Sequence, residues 1–203
     1  MHLFKSREAN LVHYATAVTL NRVPVFLSDH ACSLLIEAIA TTREKEPFKL
    51  IGYVVMPDHF HLLANPLCLD ISIVVGRIKG RAAVAILGWL RTEGHSKSLA
   101  KLALQTARKS GQTHAVWMHE FSAVDIWSRK FIRQKLDYIH MNPVRAGLCD
   151  HPGKWRWSSY NAYMPHEPGT VPIEIDKRWL WTEEELRLAQ ERRTSALSKR
   201  SLK

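Results

Sequence analysis

Apolar positions along the chain change period several times, and each change marks an element. Residues 11–20 alternate as a strand does, and Asn21-Arg22-Val23-Pro24 reads as the turn that ends it. From Asp29 to about Lys45 the apolar side chains Cys32, Leu35, Ile36, Ile39 and Ala40 recur at helical spacing, with Ser28 as N-cap and Pro47 as the stop. Residues 48–56 and 59–65 read as two strands joined tightly at Pro57-Asp58. A second helix is expected from Leu69 to about Arg91, with Ile71, Val74, Val75, Ile78 and Ala82 on its apolar face. Its other face carries Arg77, Lys79 and Arg81.

Residues 92–114 are polar, basic and partly helical by pattern, and residues 116–126 read as a fourth strand. Ser128 then caps a helix whose apolar side includes Phe131, Leu136 and Ile139. Pro143 disfavours helical backbone at Asn142, so this helix is expected to end there. Near the end of the chain, Thr182-Glu183-Glu184-Glu185 has capping-box spacing and opens a charged helix through about Leu197. The alternation predicts an α+β fold, an antiparallel β-sheet with helices packed against one face. One domain over residues 10–163 is expected, followed by a basic C-terminal extension over residues 164–203.

Charge narrows the partner. Lys and Arg number 29 against 19 acidic residues, a net charge of +10 with pI about 9.7, which suits a polyanion. A membrane partner is not expected, because the longest uncharged apolar run, Ala82 to Leu90, falls far short of the roughly 20 residues a span needs. The first residues carry no apolar core of a secretory signal, so a cytoplasmic location is expected. Cys32, Cys68 and Cys149 lack metal or disulfide spacing and read as ordinary reduced thiols.

Two segments carry chemistry. In Met56-Pro57-Asp58-His59-Phe60-His61-Leu62, strand alternation turns His59 and His61 to one side and Phe60 to the other. Two imidazoles about 7 Å apart along a strand face can share a small divalent cation. The competing reading is a solvated strand face. The second segment is Tyr138-Ile139-His140-Met141-Asn142-Pro143-Val144-Arg145-Ala146-Gly147-Leu148, where Tyr138 and Asn142 stand four apart on one helix face and Gly147 marks the stop.

Together these segments resemble the single-tyrosine HUH endonucleases, and in particular the REP-associated tyrosine transposases with their IS200-like transposase domain. The Pro57-Asp58-His59-Phe60-His61 strand, the Tyr138–Leu148 helix end and Trp155-Arg156-Trp157-Ser158-Ser159-Tyr160 all match in order and spacing. The resemblance implies a ferredoxin-like, RRM-like arrangement and a metal-dependent transposase that nicks and rejoins single-stranded DNA. It implies Tyr138 as nucleophile, a divalent metal (Mg or Mn) held by His59, His61 and Asn142, and a 5′-phosphotyrosine intermediate. Gln134, one turn before Tyr138, is the rival amide ligand. His140 faces elsewhere and reads as a packing or DNA-contact residue, Asp58 as a turn residue, and His13 as either near the site or on a strand surface.

Candidate phosphate contacts are Arg77, Lys79, Arg81, Arg129, Lys130, Arg133 and Arg145. Trp155, Arg156 and Trp157 interleave aromatics with a cation, which suits stacking on unpaired bases; pinning the C-terminal segment to the domain is the competing reading. The expected partner is single-stranded or hairpin DNA. A homodimer is compatible with the resemblance, and whether Tyr138 serves its own site or a partner's stays open. A non-catalytic nucleic-acid-binding module of the same fold and a hydrolase that uses water as nucleophile are the alternatives.

Overall fold

The computed structural model describes residues 10–67, 70–107, 111–164, 171–189 and 191. In chain order the elements are β1 (Val12–Val18), α1 (Asp29–Lys45), β2 (Phe48–Met56), β3 (His59–Pro66), α2 (Ile71–Thr92), α3 (Ser96–Lys101), β4 (Ser122–Ile126) and α4 (Arg129–Arg145). The strands form one antiparallel sheet in the order β2-β3-β1-β4. Each helical crossover therefore skips one strand: α1 carries the chain from β1 to β2 past β3, and α2 carries it from β3 to β4 past β1. This is the expected ferredoxin-like arrangement.

The helices do not share one face of the sheet. Ala15, Ala17, Phe60, Leu62 and Ala64 pack with α1 and α2, whereas Val12, Tyr14, Ile51, Val54 and Leu63 pack with Ile132, Leu136 and Ile139 of α4. The physical reason lies in β2, which is buried at every position. A strand that is apolar on both sides needs cover on both sides.

Helix α4 approaches β2 closely because Gly52 has no side chain. A Cβ there would lie 2.6 Å from Leu136 Cδ2 and 3.1 Å from Ile139 Cδ1. Ser128 caps α4 as expected, its hydroxyl accepting from the Phe131 amide at 3.2 Å. The expected stop at Asn142 is corrected: α4 continues to Arg145 with Pro143 inside its last turn. Pro143 is buried, and so close to the end its missing N–H frees only one helix carbonyl. Gly147, at φ +70°, then closes the helix, with Leu148 N donating to Pro143 O and Gly147 N to Val144 O.

Strand β2 is an outer strand, and the C-terminal segment covers its edge. Val55 N donates to Trp157 O, Ser159 N to Tyr53 O, and Asp176 N to Leu50 O. Ile175 is buried in the core beneath, so part of the expected extension belongs to the packed domain. The capping box at the end of the chain is present: Thr182 N donates to Glu185 Oε2 at 2.6 Å, and Glu185 N to Thr182 Oγ1 at 3.2 Å. Residues 183–189 are helical. Cys68, and the tail expected to be helical beyond residue 191, lie outside the described residues.

Candidate active site

The Pro57-Asp58 turn delivers His59 and His61 at the start of β3, on the face that α4 covers. Their ring centroids are 4.8 Å apart. Each ring has its Nδ1 engaged. His59 Nδ1 donates to Asp58 Oδ1 at 2.6 Å, because a carboxylate can only accept. His61 Nδ1 lies 2.8 Å from both Tyr14 Oη and Thr16 Oγ1, since the β1–β3 register sets Thr16 opposite His61. Nε2 of each ring is left for a ligand. Burial pushes the His61 imidazole down to about 3, with the charges of His59 and Lys135 adding to it, so the ring is neutral near pH 7.

Asp58 is more than a turn residue. Its second carboxylate oxygen accepts from Arg22 at 2.8 Å. Burial alone would raise this carboxyl, but hydrogen bonds from His59 and Arg22 and their charges outweigh it and hold Asp58 below the usual carboxylate range. The reach of Arg22 depends on left-handed backbone at both Asn21 (φ 50°) and Arg22 (φ 53°). Such conformations cost energy in residues other than glycine and cluster at functional sites.

Helix α4 brings Tyr138 to the same place. Its ring centroid is 5.8 Å from that of His61 and 6.3 Å from that of Tyr14, and 42% of the residue is exposed. Lys135 Nζ lies 4.6 Å from the Tyr14 ring centre and 5.7 Å from that of Tyr138, and the Arg145 guanidinium lies 5.3 Å from the Tyr138 ring. Lys135, Tyr138, Asn142 and Arg145 thus form one flank of α4 at three- and four-residue spacing. Burial lifts the Tyr14 phenol to about 12, which leaves Tyr14 to orient His61 in its protonated form.

The residues fit a divalent metal. Among the described residues no three His, Cys, Asp or Glu side chains cluster to hold one, so two imidazoles would need a donor of another class. Asn142 is half-buried, with its Nδ2 enclosed and unpartnered, whereas Gln134 is exposed. An amide nitrogen only donates, so either side chain would offer a metal its oxygen.

Several expected contacts stand elsewhere. Arg77, Lys79 and Arg81 belong to α2, across the sheet from the histidines. Arg77 lies 3.8 Å from Glu46, Lys79 Nζ donates to the Met118 and His119 carbonyls, and Arg81 donates to Thr42. Helical periodicity located their helix face but not the side of the sheet that the helix covers. His13 is also on that far side, buried and bonded to Asp125 at 2.8 Å. Trp157 is buried, with its Nε1 donating to Asp29, and cannot offer a stacking face; the pinning reading is the correct one. Half-buried Trp155 donates to Val55 O, and exposed Arg156 lies over the Trp157 ring at 4.9 Å. His140 is a packing residue, buried and 2.8 Å from Ser159 Oγ. Arg129, Lys130, Arg133 and Arg145 are exposed on α4.

Sequence reasoning missed Tyr14, Thr16, Lys135 and Arg22. Only Lys135 had a local signal, its place three residues before Tyr138. No helix among the described residues is long and apolar enough to cross a membrane.

Comparison with known proteins gives a consistent result. A family model described as "Transposase IS200 like" matches residues 9–141, a span that contains His59, His61 and Tyr138 and stops just before Asn142. A Haemophilus influenzae protein named among the REP-associated tyrosine transposases is 25% identical over 152 residues, 74% of this chain and 80% of that protein. The REP-associated tyrosine transposase of Escherichia coli K12 is 23% identical over 144 residues, 70% of each chain. A solved structure of a REP-associated tyrosine transposase bound to a REP hairpin matches with a TM-score of 0.61 at 20% identity, covering 87% of this chain and 92% of that one. That likeness is one of fold.

Proposed function

The chain belongs to the IS200-like transposase family, and we propose that it nicks and rejoins single-stranded or hairpin DNA through a covalent bond to Tyr138. The observation that carries this reading is the approach of an exposed tyrosine to a pair of histidines: Tyr138 is 5.8 Å, ring to ring, from His61, itself 4.8 Å from His59. The hairpin enters because the solved relative of like fold is described as bound to one.

In the proposed step the Tyr138 oxygen attacks the scissile phosphorus. The bond from phosphorus to the 3′ oxygen breaks, the phenolic proton leaves to water, and the departing oxygen takes a proton to become a free 3′-hydroxyl. The 5′ phosphate stays on Tyr138. A hydroxyl attacking that phosphotyrosine reverses the exchange, so a strand is resealed without a nucleotide cofactor. His59, His61 and Asn142 would hold a divalent metal, Mg or Mn, which when bound would polarise the phosphate and offset charge growing on its oxygens. Asp58 fixes the tautomer of His59, and Tyr14 with Thr16 fixes the ring of His61. Lys135 and Arg145 set two cations beside the nucleophile, where they can orient a phosphate and stabilise its charge.

The test is Tyr138→Phe. Incubated with labelled single-stranded DNA and Mg²⁺ or Mn²⁺, the unaltered protein is expected to give a protein–DNA band on a denaturing gel, and the variant none. DNA binding is expected to persist, because most of it comes from cations spread over the surface. A surviving band in the variant refutes the role of Tyr138. Binding without cleavage by the unaltered protein refutes the enzymatic reading.

A further inference from the structure

A cleft of about 740 Å³ opens between the first turns of α4, the start of β1 and residues 177–180. It lies on a different flank of α4 from Tyr138. At 3.6 residues per turn, Arg133 and Tyr138 project well apart, with exposed Lys130 and Gln134 on the crest between them. Its volume falls within the range of ordinary ligand clefts.

The lining is unusual for a mere surface depression. Arg129, Arg133, Lys177 and Arg178 all face it, and no carboxylate does among the described residues. Arg178 is tied to Glu185 at 2.6 Å, while Arg129, Arg133 and Lys177 have no ion-pair partner among the described residues. Beside them stands Trp127, 63% exposed, a large indole left in water at the rim. Such a cluster of like charges is destabilising unless a polyanion relieves it.

We propose that this cleft is a second DNA contact, separate from the tyrosine site, that takes an unpaired segment with a base stacked on Trp127 and phosphates on Arg129, Arg133 and Lys177. Aromatic faces interleaved with cations are the recurring means of holding unpaired strands. Duplex DNA would engage the cations yet leave the indole idle, because its bases are already stacked on each other. The first residue of α4 lies nine residues before Tyr138, about 14 Å along the axis at 1.5 Å per residue. One DNA molecule can therefore reach both places by passing over the Lys130 crest.

The inference rests on the reading that this chain handles DNA, and its test is separable from that reading. Two labelled hairpins of the same stem are compared, one with an unpaired flank and one without, by fluorescence anisotropy with the full chain. Trp127→Ala and the double substitution Arg129→Ala/Arg133→Ala are expected to weaken binding of the flanked hairpin about tenfold or more. The unflanked hairpin should bind Trp127→Ala as it binds the unaltered protein and should lose several-fold less than the flanked one with the arginine double variant, whose general charge loss acts on both; Trp127→Phe should keep most of the affinity because it keeps an aromatic face. All of these side chains are exposed, so melting by circular dichroism should not fall, and relief of like charge in the arginine double variant should if anything raise it.

Unchanged binding of the flanked hairpin by both variants overturns the proposal. So does an equal loss on both hairpins, which would mean unspecific charge. Displacement of the flanked hairpin by polyglutamate from the unaltered protein, but not from the arginine double variant, would instead mark an acidic-peptide site and overturn it too. A flank-specific loss in a protein that never forms a tyrosine adduct would sustain the cleft and refute the nicking reaction.

Discussion

Gly52→Ala is a small change with a calculable reach. The added Cβ would stand 2.6 Å from Leu136 Cδ2, 3.1 Å from Ile139 Cδ1 and 3.3 Å from Ser159 Oγ. Carbon atoms in good contact are about 3.5–4.0 Å apart, so either the Leu136 side chain or the helix must yield by about 1 Å. Leu136 and Ile139 are 5% and 0% exposed, and packing that tight leaves little room for a side chain to turn alone. Overpacking of this kind costs about 1–3 kcal/mol. Replacing a strand glycine by alanine returns about 0.5–1 kcal/mol. The net loss is then between about 0 and 2.5 kcal/mol and near 1 kcal/mol at the middle of both ranges, a fall in melting temperature of about 2–4 °C for a chain of this size.

Tyr138 lies between the two displaced residues in sequence, and misplacing a reacting group by about 1 Å costs about a hundredfold in rate. Calorimetry therefore should find a stable fold while the covalent Tyr138–DNA band forms far more slowly. Adding Leu136→Ala removes the clashing atom and should recover part of the rate, although it lowers stability further. An adduct rate near that of the unaltered protein, or no recovery in the double variant, would refute the claim that Gly52 sets the position of the nucleophile.

Three further outcomes are expected. Asp58→Ala releases His59 Nδ1 and should weaken Mn²⁺ binding, measured calorimetrically without DNA, by about 10–100-fold; unchanged affinity would show that Asp58 does not orient the ligand. Lys135→Met keeps the length and apolar stem of the side chain but removes its charge, so adduct formation at saturating DNA should fall while melting is nearly unaffected; an unchanged rate would leave Lys135 a packing residue. Burial holds His140 down to about 4 against about 6.5 when unfolded, so the unfolded chain takes up the proton first as pH falls. The stability linked to this ring is full above about pH 6.5 and is lost progressively toward pH 4, about 3 kcal/mol in all. Urea unfolding of the unaltered protein and of His140→Leu across that window tests this, and equal pH slopes would sink it.

What could be read from the sequence was local. Ser28 and Ser128 as caps, the Pro57-Asp58 hairpin and the Thr182–Glu185 box each depend on residues within a turn of one another, and all appear in the structure. The motif residues His59, His61 and Tyr138 also converge as their resemblance implied. Register was not legible. Nothing in the order of residues says that Thr16 stands opposite His61, and so the partners of His61 Nδ1 were missed. Layering was equally hidden: an amphipathic helix announces its apolar face but not which side of a sheet it covers, so the sequence did not tell that the candidate phosphate contacts Arg77, Lys79 and Arg81 lie across the sheet from the histidines. Pro143 misled for a different reason, because a rule about the residue before proline is weakest at the last turn of a helix.

Ser159 has a consequence for how the protein comes into being. Its backbone and hydroxyl are bound to Tyr53, and the same hydroxyl meets His140 on the helix that carries the nucleophile. A nascent chain holding everything through Arg145 therefore already has the histidines and Tyr138, but an open β2 edge and an unfastened α4. The segment that clasps them together is made later. Synthesis thus places the clasp after both of the elements it joins.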